Sequence, residues 1–195
     1  MLKNIVLALL VLIIAGAWLY ADAFYRAKQS DITIAAAEFF HKLALPFYVI
    51  EMSAREPVQH LPVPVYGVPL EDISDTWGAA RSEGRSHEGT DIFAPTGTPV
   101  FSSTVGYVVL TDFGFRGGRN VMILGPGRVF YYYAHFTRLA EGIVEGAYVT
   151  PDTVLGYVGD SGNAEGTPPH LHFGVYVTQW EAINPYPLLS ERWGE

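Results

Sequence analysis

The sequence predicts a mainly β fold, an antiparallel β-sheet domain, preceded by a membrane helix and a short connector. Three observations support this prediction. An apolar run opens the chain, prolines cluster between Pro57 and Pro69, and short β-branched and aromatic runs alternate with glycine turns after Asp72. Hydrophobic residues make up 49% of the 195 residues and charged residues 16%, which excludes an intrinsically disordered chain.

Charge and cysteine content exclude several classes of function. The chain carries a formal net charge of −8 and has no Lys/Arg-rich run, so we expect no nucleic-acid partner. It contains no cysteine, which excludes disulfide frameworks, thiolate zinc sites and cysteine nucleophiles.

Residues 1–21 are interpreted as a transmembrane anchor or a signal segment. Lys3 precedes an apolar run over residues 5–20. Its length lies between those typical of a signal peptide and of a spanning helix. Small residues around Ala23 favour cleavage, whereas Trp18 and Tyr20 favour a retained anchor. We expect an inner-membrane anchor with the rest of the chain outside the cytoplasm; the alternative is export after cleavage near Ala23.

Residues 22–65 are interpreted as a helical stalk and a proline-rich linker. Ser30 or Asp31 can cap a helix over residues 30–45, which is expected to end near Pro46. The prolines that follow favour an extended linker, which places the domain boundary near residue 65. His41 and His60 lie in this part and are assigned no role in a site.

Residues 66–195 are expected to form the β domain. The predicted strands are short runs between turn residues, at 99–101, 106–111, 120–124, 129–135, 154–158 and 171–177.

Three histidine clusters in this domain suggest a metal site. His87 and Asp91 are spaced i, i+4 and His170 and His172 are spaced i, i+2, so each pair lies on one face of an extended strand. Leu171 would then point into the core. The third cluster predicts that Tyr133 and His135 share a face, opposite Tyr132. Histidine and aspartate together suit a catalytic zinc ion, which takes three protein ligands and keeps one open position.

The motifs in this order resemble peptidase family M23, the LytM or lysostaphin-type peptidoglycan endopeptidases. The segments that carry the resemblance are WGAAR at 77–81, HEGTD at 87–91, APTGTPV at 94–100, YAH at 133–135, GN at 162–163, TPPHLHF at 167–173 and INP at 183–185. The resemblance covers about residues 66–195 and implies a LytM-type β domain with an open groove.

The resemblance also implies a set of site residues. His87, Asp91 and His172 match the ligands of one Zn²⁺ per chain, and His170 and His135 match the two catalytic histidines. Zinc chemistry lowers the pKa of water and polarises a carbonyl. His170 is expected to act as the general base, with His135 positioning water or stabilising the oxyanion; the reverse assignment stays open.

The predicted function is zinc-dependent hydrolysis of amide bonds in the stems or cross-links of bacterial peptidoglycan. Arg81, Tyr133 and Asn163 are the candidate substrate contacts, with solvated charge the alternative for Arg81 and core packing the alternative for Tyr133. The competing hypothesis is a non-hydrolytic or partner-dependent activator of wall hydrolases. A structural zinc site fits poorly, because such sites are usually closed by four protein ligands. Peptidoglycan and the inner membrane are the expected partners, and a regulatory protein partner stays open.

Overall fold

A nine-stranded antiparallel sheet forms the centre of the structure, a computed structural model that describes residues 31–81, 84–177 and 181–193. The chain divides into two compact units, Met1–Ala44 and Leu45–Glu195. The strands, numbered in chain order, are β1 (Leu61–Pro62), β2 (Thr90–Phe93), β3 (Pro99–Phe101), β4 (Gly106–Gly114), β5 (Gly118–Leu124), β6 (Phe130–Leu139), β7 (Tyr148–Val149), β8 (Val154–Val158), β9 (His170–Val177), β10 (Glu181–Ile183) and β11 (Leu189–Ser190).

Strand β9 lies in the middle of the sheet. One edge of β9 pairs with β6, and the other pairs with β2 and, further along, with β10. The sheet continues from β6 through β5 and β4 to β7, while β8 pairs with β6 and β3. Each of the six predicted strands coincides with an observed strand, and the runs at 99–101 and 154–158 match β3 and β8 end for end.

One face of the sheet packs into an apolar core. Tyr131, Tyr133, Phe136, Phe173 and Leu171 are all at most 1% exposed and belong to this core. Burying one aromatic or leucine side chain stabilises the fold by about 1.5–3 kcal/mol relative to leaving it exposed. This burial fixes the position of the strands whose other face is polar.

The single α-helix of the described residues, α1 (Asp31–Ser53), is longer than the sequence predicts. It continues through Pro46, although proline removes one backbone hydrogen bond. Contacts beyond the proline explain the continuation: Met52 is fully buried, Tyr48 stacks on Tyr107 with ring centroids 3.9 Å apart, and the Tyr107 hydroxyl donates to Glu51 at 2.7 Å.

The proline-rich segment is packed into the domain, which differs from the predicted linker. Leu61, Val63 and Val65 are fully buried core residues, and β1 pairs in parallel with β11. Prolines at alternate positions keep this segment extended without needing their own N–H groups, so the valines between them can point inward. The boundary expected near residue 65 therefore falls inside the compact unit that begins at Leu45.

The predicted membrane segment, residues 1–21, lies outside the described residues. Across the described ranges, no helix has both the length and the apolar character needed to cross a membrane.

Candidate metal centre and catalytic cleft

Three side chains on the polar face of the sheet converge on one point. Oδ1 of Asp91 lies 3.0 Å from Nε2 of His87 and 3.1 Å from Nδ1 of His172, and the two histidine nitrogens are 2.8 Å apart. His87 is 4% exposed and Asp91 6%. These are the three residues that the sequence motifs imply as ligands, and the structure places them together.

Strand pairing accounts for two of the three positions. In the antiparallel pairing of β2 with β9, Asp91 is the direct partner of His172. Alternation along β9 sends Leu171 and Phe173 into the core and leaves His170 and His172 in the cleft, as predicted. Asp91 and His172 are therefore fixed by the register of one strand pair.

His87 reaches the cluster from a loop and not from a strand. Strand β2 begins at Thr90, so strand alternation does not explain why His87 and Asp91, four residues apart, reach the same point. The backbone of His87 is held instead by bonds from Gly78 N–H to its carbonyl and from its own N–H to the Ala79 carbonyl, both 2.9 Å.

Gly89 gives the loop the space to pass the cluster. A Cβ atom at this position would lie 2.5 Å from Cε1 of His172 and 2.7 Å from the carbonyl oxygen of Phe173. Any side chain at residue 89 would therefore collide with a candidate ligand and with the backbone of β9.

The hydrogen bonds determine which nitrogen of His87 faces the cluster as an acceptor. Its Nδ1 lies 2.8 Å from the carbonyl oxygen of Thr76. A carbonyl oxygen only accepts, so in the neutral ring Nδ1 carries the proton and Nε2 presents a lone pair to the cluster. This outer hydrogen bond is the arrangement typical of metal-bound histidines.

The charges of the cluster also suit a cation. Burial alone would raise the pKa of Asp91, but its close polar contacts with His172, His87 and Arg81 outweigh burial and hold that pKa well below its usual range. Burial lowers the pKa of His172 despite its hydrogen bond to Asp91. A carboxylate at Asp91 and a neutral imidazole at His172, the ligand forms that a metal requires, are therefore favoured at neutral pH.

Two further histidines lie beside the cluster. Nε2 of His170 is 3.9 Å from Oδ1 of Asp91, and the ring centroids of His135 and His170 are 5.0 Å apart. Nδ1 of His170 lies 2.9 Å from the Pro168 carbonyl oxygen and Nδ1 of His135 lies 2.8 Å from that of Ser161. By the same argument as for His87, the neutral form of each ring carries its proton on Nδ1, which leaves Nε2 as the acceptor.

His135 occupies a strained backbone conformation that redirects its side chain. Its φ of 68° lies in the left-handed region, which is uncommon for a residue other than glycine. The pairing of β5 with β6 shifts register in the same stretch. The bulge turns His135 into the cleft, on the same side as Tyr132. Simple alternation along β6 would have placed His135 on the face opposite Tyr132.

Tyr133 is not a cleft residue, which corrects the predicted substrate contact. It is fully buried, packs against Phe173 and accepts a hydrogen bond from the Ser103 N–H at 2.9 Å. The prediction failed because it placed Tyr133 and His135 on one face. Tyr132 lines the cleft instead, and burial together with nearby Tyr176 and Asp112 raises its pKa to about 12.

The other two predicted substrate contacts do reach the cleft. Asn163 lines it, and its N–H donates to the Arg116 carbonyl at 3.1 Å. Arg81 lines it too, but its guanidinium donates a hydrogen bond to Oδ2 of Asp91. The cleft has a volume of about 760 Å³ and also contains Arg85, Phe93 and Met122.

Sequence reasoning missed Ser161. Its hydroxyl donates to the Phe136 carbonyl at 2.8 Å and accepts from the Arg119 N–H at 2.9 Å, while its own carbonyl binds His135. No pattern of alternation or metal-ligand spacing marks such a residue. Its position directly before the GN motif at 162–163 is the one signal that the sequence offered.

Comparison with known proteins gives consistent matches. The sequence model of peptidase family M23 matches residues 85–185, a range that contains all five clustered histidine and aspartate residues and leaves out Arg81. The L-Ala–D-Glu endopeptidase of Bacillus subtilis is 40% identical over an alignment of 182 residues, and the match covers 85% of this chain and 56% of that protein. Lysostaphin of Staphylococcus simulans is 32% identical over 112 residues, 55% of this chain and 22% of that protein.

Solved structures share the fold. The lytM protein of Ruminococcus gnavus superimposes with a TM-score of 0.58 at 28% identity, covering 88% of this chain and 77% of that one. The catalytic domain of lysostaphin gives a TM-score of 0.54 at 27% identity, covering 60% of this chain and 92% of that domain. The chain spans about half the length, or less, of the curated relatives that it matches.

Proposed function

Because the chain belongs to peptidase family M23, we propose that it is a zinc-dependent endopeptidase that hydrolyses amide bonds in bacterial peptidoglycan. One observation carries the proposal. Ligand atoms of His87, Asp91 and His172 converge within a solvent-accessible cleft, and the Nε2 acceptors of two further histidines lie beside them. A structural site would need neither the cleft nor the additional histidines.

The residues present fit a zinc ion. Ligands at the usual zinc distance of about 2.0–2.1 Å in a tetrahedral site lie about 3.3 Å from one another. The three candidate atoms are separated by 2.8–3.1 Å, which is close to that spacing. His87 would bind through Nε2, His172 through Nδ1 and Asp91 through Oδ1. The chemistry that zinc supplies when bound is polarisation of a carbonyl and a lowered pKa of water, toward about 7.

His170 is proposed as the general base. In the neutral ring Nδ1 donates to the Pro168 carbonyl, which leaves Nε2 as the acceptor, and Nε2 lies 3.9 Å from Oδ1 of Asp91 at the edge of the cluster. In this position Nε2 can take the proton of the attacking water and later pass it to the leaving amine.

His135 is proposed to position the attacking water, because Nδ1 donates to the Ser161 carbonyl and Nε2 is left to accept a hydrogen bond from that water. Burial lowers its pKa to about 4, so the ring is neutral at pH 7. Its hydrogen bond to Ser161 fixes the ring, and fixed polar groups contribute most to stabilising a transition state.

The substrate is proposed to be the peptide part of peptidoglycan, in its stems or its cross-links. The name of the Bacillus subtilis relative makes the L-Ala–D-Glu bond the first one to test. A peptidoglycan substrate places the cleft outside the cytoplasm, in the bacterial cell envelope. The apolar run over residues 5–20 is proposed to anchor the chain in the inner membrane.

The test is a muropeptide profile of purified sacculi after incubation with the zinc-loaded protein. The matched control is Asp91→Asn, which keeps the size of the side chain and removes its charge. We expect new peptide fragments only with the unchanged protein, and their masses identify the bond. An unchanged profile at one zinc ion per chain would overturn the proposal in favour of a non-hydrolytic or partner-dependent activator.

A further inference from the structure

The two carboxylate oxygens of Asp91 have different partners. Oδ1 faces the ligand cluster, at 3.0 Å from His87 and 3.1 Å from His172. Oδ2 accepts a hydrogen bond from the guanidinium of Arg81. The backbone N–H of Asp91 is also fixed, because it donates to Oγ1 of Thr76 at 3.0 Å.

Arg81 is connected to the same loop that carries His87. Its N–H donates to the Arg85 carbonyl at 2.9 Å, and Ala80 forms a bridge with Ser86 directly before His87. The Arg81 side chain is 37% exposed while that of Asp91 is 6% exposed, so the guanidinium closes the solvent side of a buried carboxylate. The backbone of this loop therefore holds the arginine and one candidate ligand together.

We propose that Arg81 is a positioning residue for the metal site, which holds Asp91 with Oδ1 toward the ion and Oδ2 withdrawn. This inference rests on the proposed zinc site. A carboxylate whose second oxygen is bound by a guanidinium cannot turn to present both oxygens to the ion, and this keeps one position of the site open. Under this proposal the guanidinium of Arg81 binds the carboxylate of Asp91 rather than a carboxylate of the substrate.

Two physical effects of Arg81 oppose each other. Orientation of a ligand by an outer partner typically raises metal affinity by about 10–100-fold. Repulsion between the guanidinium and the cation acts in the opposite direction. The direction of the affinity change on replacing Arg81 therefore shows which effect dominates. We expect orientation to dominate, because Asp91 is buried and the guanidinium directly restrains Oδ2.

The experiment measures the zinc dissociation constant of the full chain by competition with a fluorescent chelator. Arg81→Gln removes the charge, and Arg81→Lys keeps the charge without the planar guanidinium. Arg119→Gln is the matched control, since it removes the same charge from a guanidinium that donates to the Thr137 carbonyl and not to Asp91. Thermal unfolding of each variant shows whether the fold is intact.

We expect Arg81→Gln to bind zinc about 10–100-fold more weakly, with Arg81→Lys intermediate and Arg119→Gln unchanged. Unchanged or tighter zinc binding by Arg81→Gln, with a raised KM for peptide, would overturn the inference and make Arg81 a substrate contact. If the unchanged protein binds no zinc, the proposed function fails; if it binds zinc and cleaves peptide while Arg81→Gln retains its affinity, only this inference fails.

Discussion

Nδ1 of His135 lies 2.8 Å from the carbonyl oxygen of Ser161, and this bond joins the candidate catalytic histidine to the loop that follows β8. The hydroxyl of the same serine bonds to Phe136 on β6 and to Arg119 on β5. Ser161 thus fixes the bulge at His135 from both sides, and the strained φ of 68° is maintained by these contacts.

Replacing Ser161 with alanine should impair catalysis more than substrate binding. The change removes the two hydroxyl bonds and leaves the carbonyl that binds His135. We expect a loss of about 1–3 kcal/mol in the free energy of unfolding, together with a lower kcat and little change in KM. Steady-state kinetics on a peptide substrate and urea denaturation measure these effects. Ser161→Thr keeps the hydroxyl and should recover most of the rate; equal kcat for all three proteins would contradict a positioning role.

The β9 part of the site was predictable because strand alternation is a local rule. His170 and His172 face the cleft and Leu171 faces the core, as the residue spacing alone indicates. The same rule failed at His135, because a bulge with a left-handed residue breaks the alternation. His135 therefore shares the cleft with Tyr132, and Tyr133 is buried in the core.

Other differences arise from contacts between distant parts of the chain. The helix passes Pro46 because Tyr48 and Glu51 contact Tyr107, which lies more than fifty residues further along the sequence. The role of Arg81 follows from its approach to Asp91, which depends on the folded loop around His87. Local propensity carries no information about either contact.

Thr90 offers a test of core packing behind the metal site. It is fully buried, and its Oγ1 has no hydrogen-bond partner among the described residues. Thr90→Val replaces this hydroxyl with a methyl group of similar size, so we expect the free energy of unfolding to rise by about 1 kcal/mol. The control is Thr104→Val, where Oγ1 donates to the Val105 carbonyl at 3.1 Å and its removal should destabilise the protein. Chemical denaturation of both variants measures the difference, and destabilisation by Thr90→Val would show that the hydroxyl has a partner.

The buried imidazole of His135 predicts a specific pH dependence of stability. Its pKa is lowered from 6.5 to about 4 by burial, so between these values the unfolded chain binds a proton that the folded protein does not. The stability that neutral His135 contributes is fully present above pH 6.5 and is lost as the pH falls toward 4. Linkage gives a slope of about 1.4 kcal/mol per pH unit for one proton.

His135→Gln isolates this contribution, because glutamine does not titrate. With zinc removed by a chelator, urea denaturation between about pH 4.5 and 7.5 should give the variant a shallower loss of stability than the unchanged protein. The other ionisable groups of the site are the same in both proteins, so the difference between the two curves reports on His135 and on its coupling to Asp91, His170 and His172. Parallel curves would mean that His135 titrates at its ordinary pKa in the folded state.

Replacing Gly89 with alanine should damage the metal site directly. The new Cβ would lie 2.5 Å from Cε1 of His172 and 2.7 Å from the Phe173 carbonyl oxygen, and the backbone of β9 cannot move away without breaking its pairing with β2. We expect zinc affinity to fall by at least about tenfold and the free energy of unfolding to fall by about 1–3 kcal/mol, as is typical of overpacking. Competition with a chelator and urea denaturation measure the two quantities.

Gly142→Ala separates lost stability from lost zinc binding. Gly142 has a φ of 81°, and among the described residues no heavy atom outside its two chain neighbours lies within 4 Å of the place that a Cβ would occupy, so alanine there adds backbone strain without touching the cluster. We expect this control to be less stable, by about 1–2 kcal/mol, and to bind zinc with unchanged affinity. If both variants lost zinc affinity in proportion to their lost stability, the weaker binding by Gly89→Ala would follow from its lost stability. The close approach of residue 89 to His172 would then not determine zinc affinity.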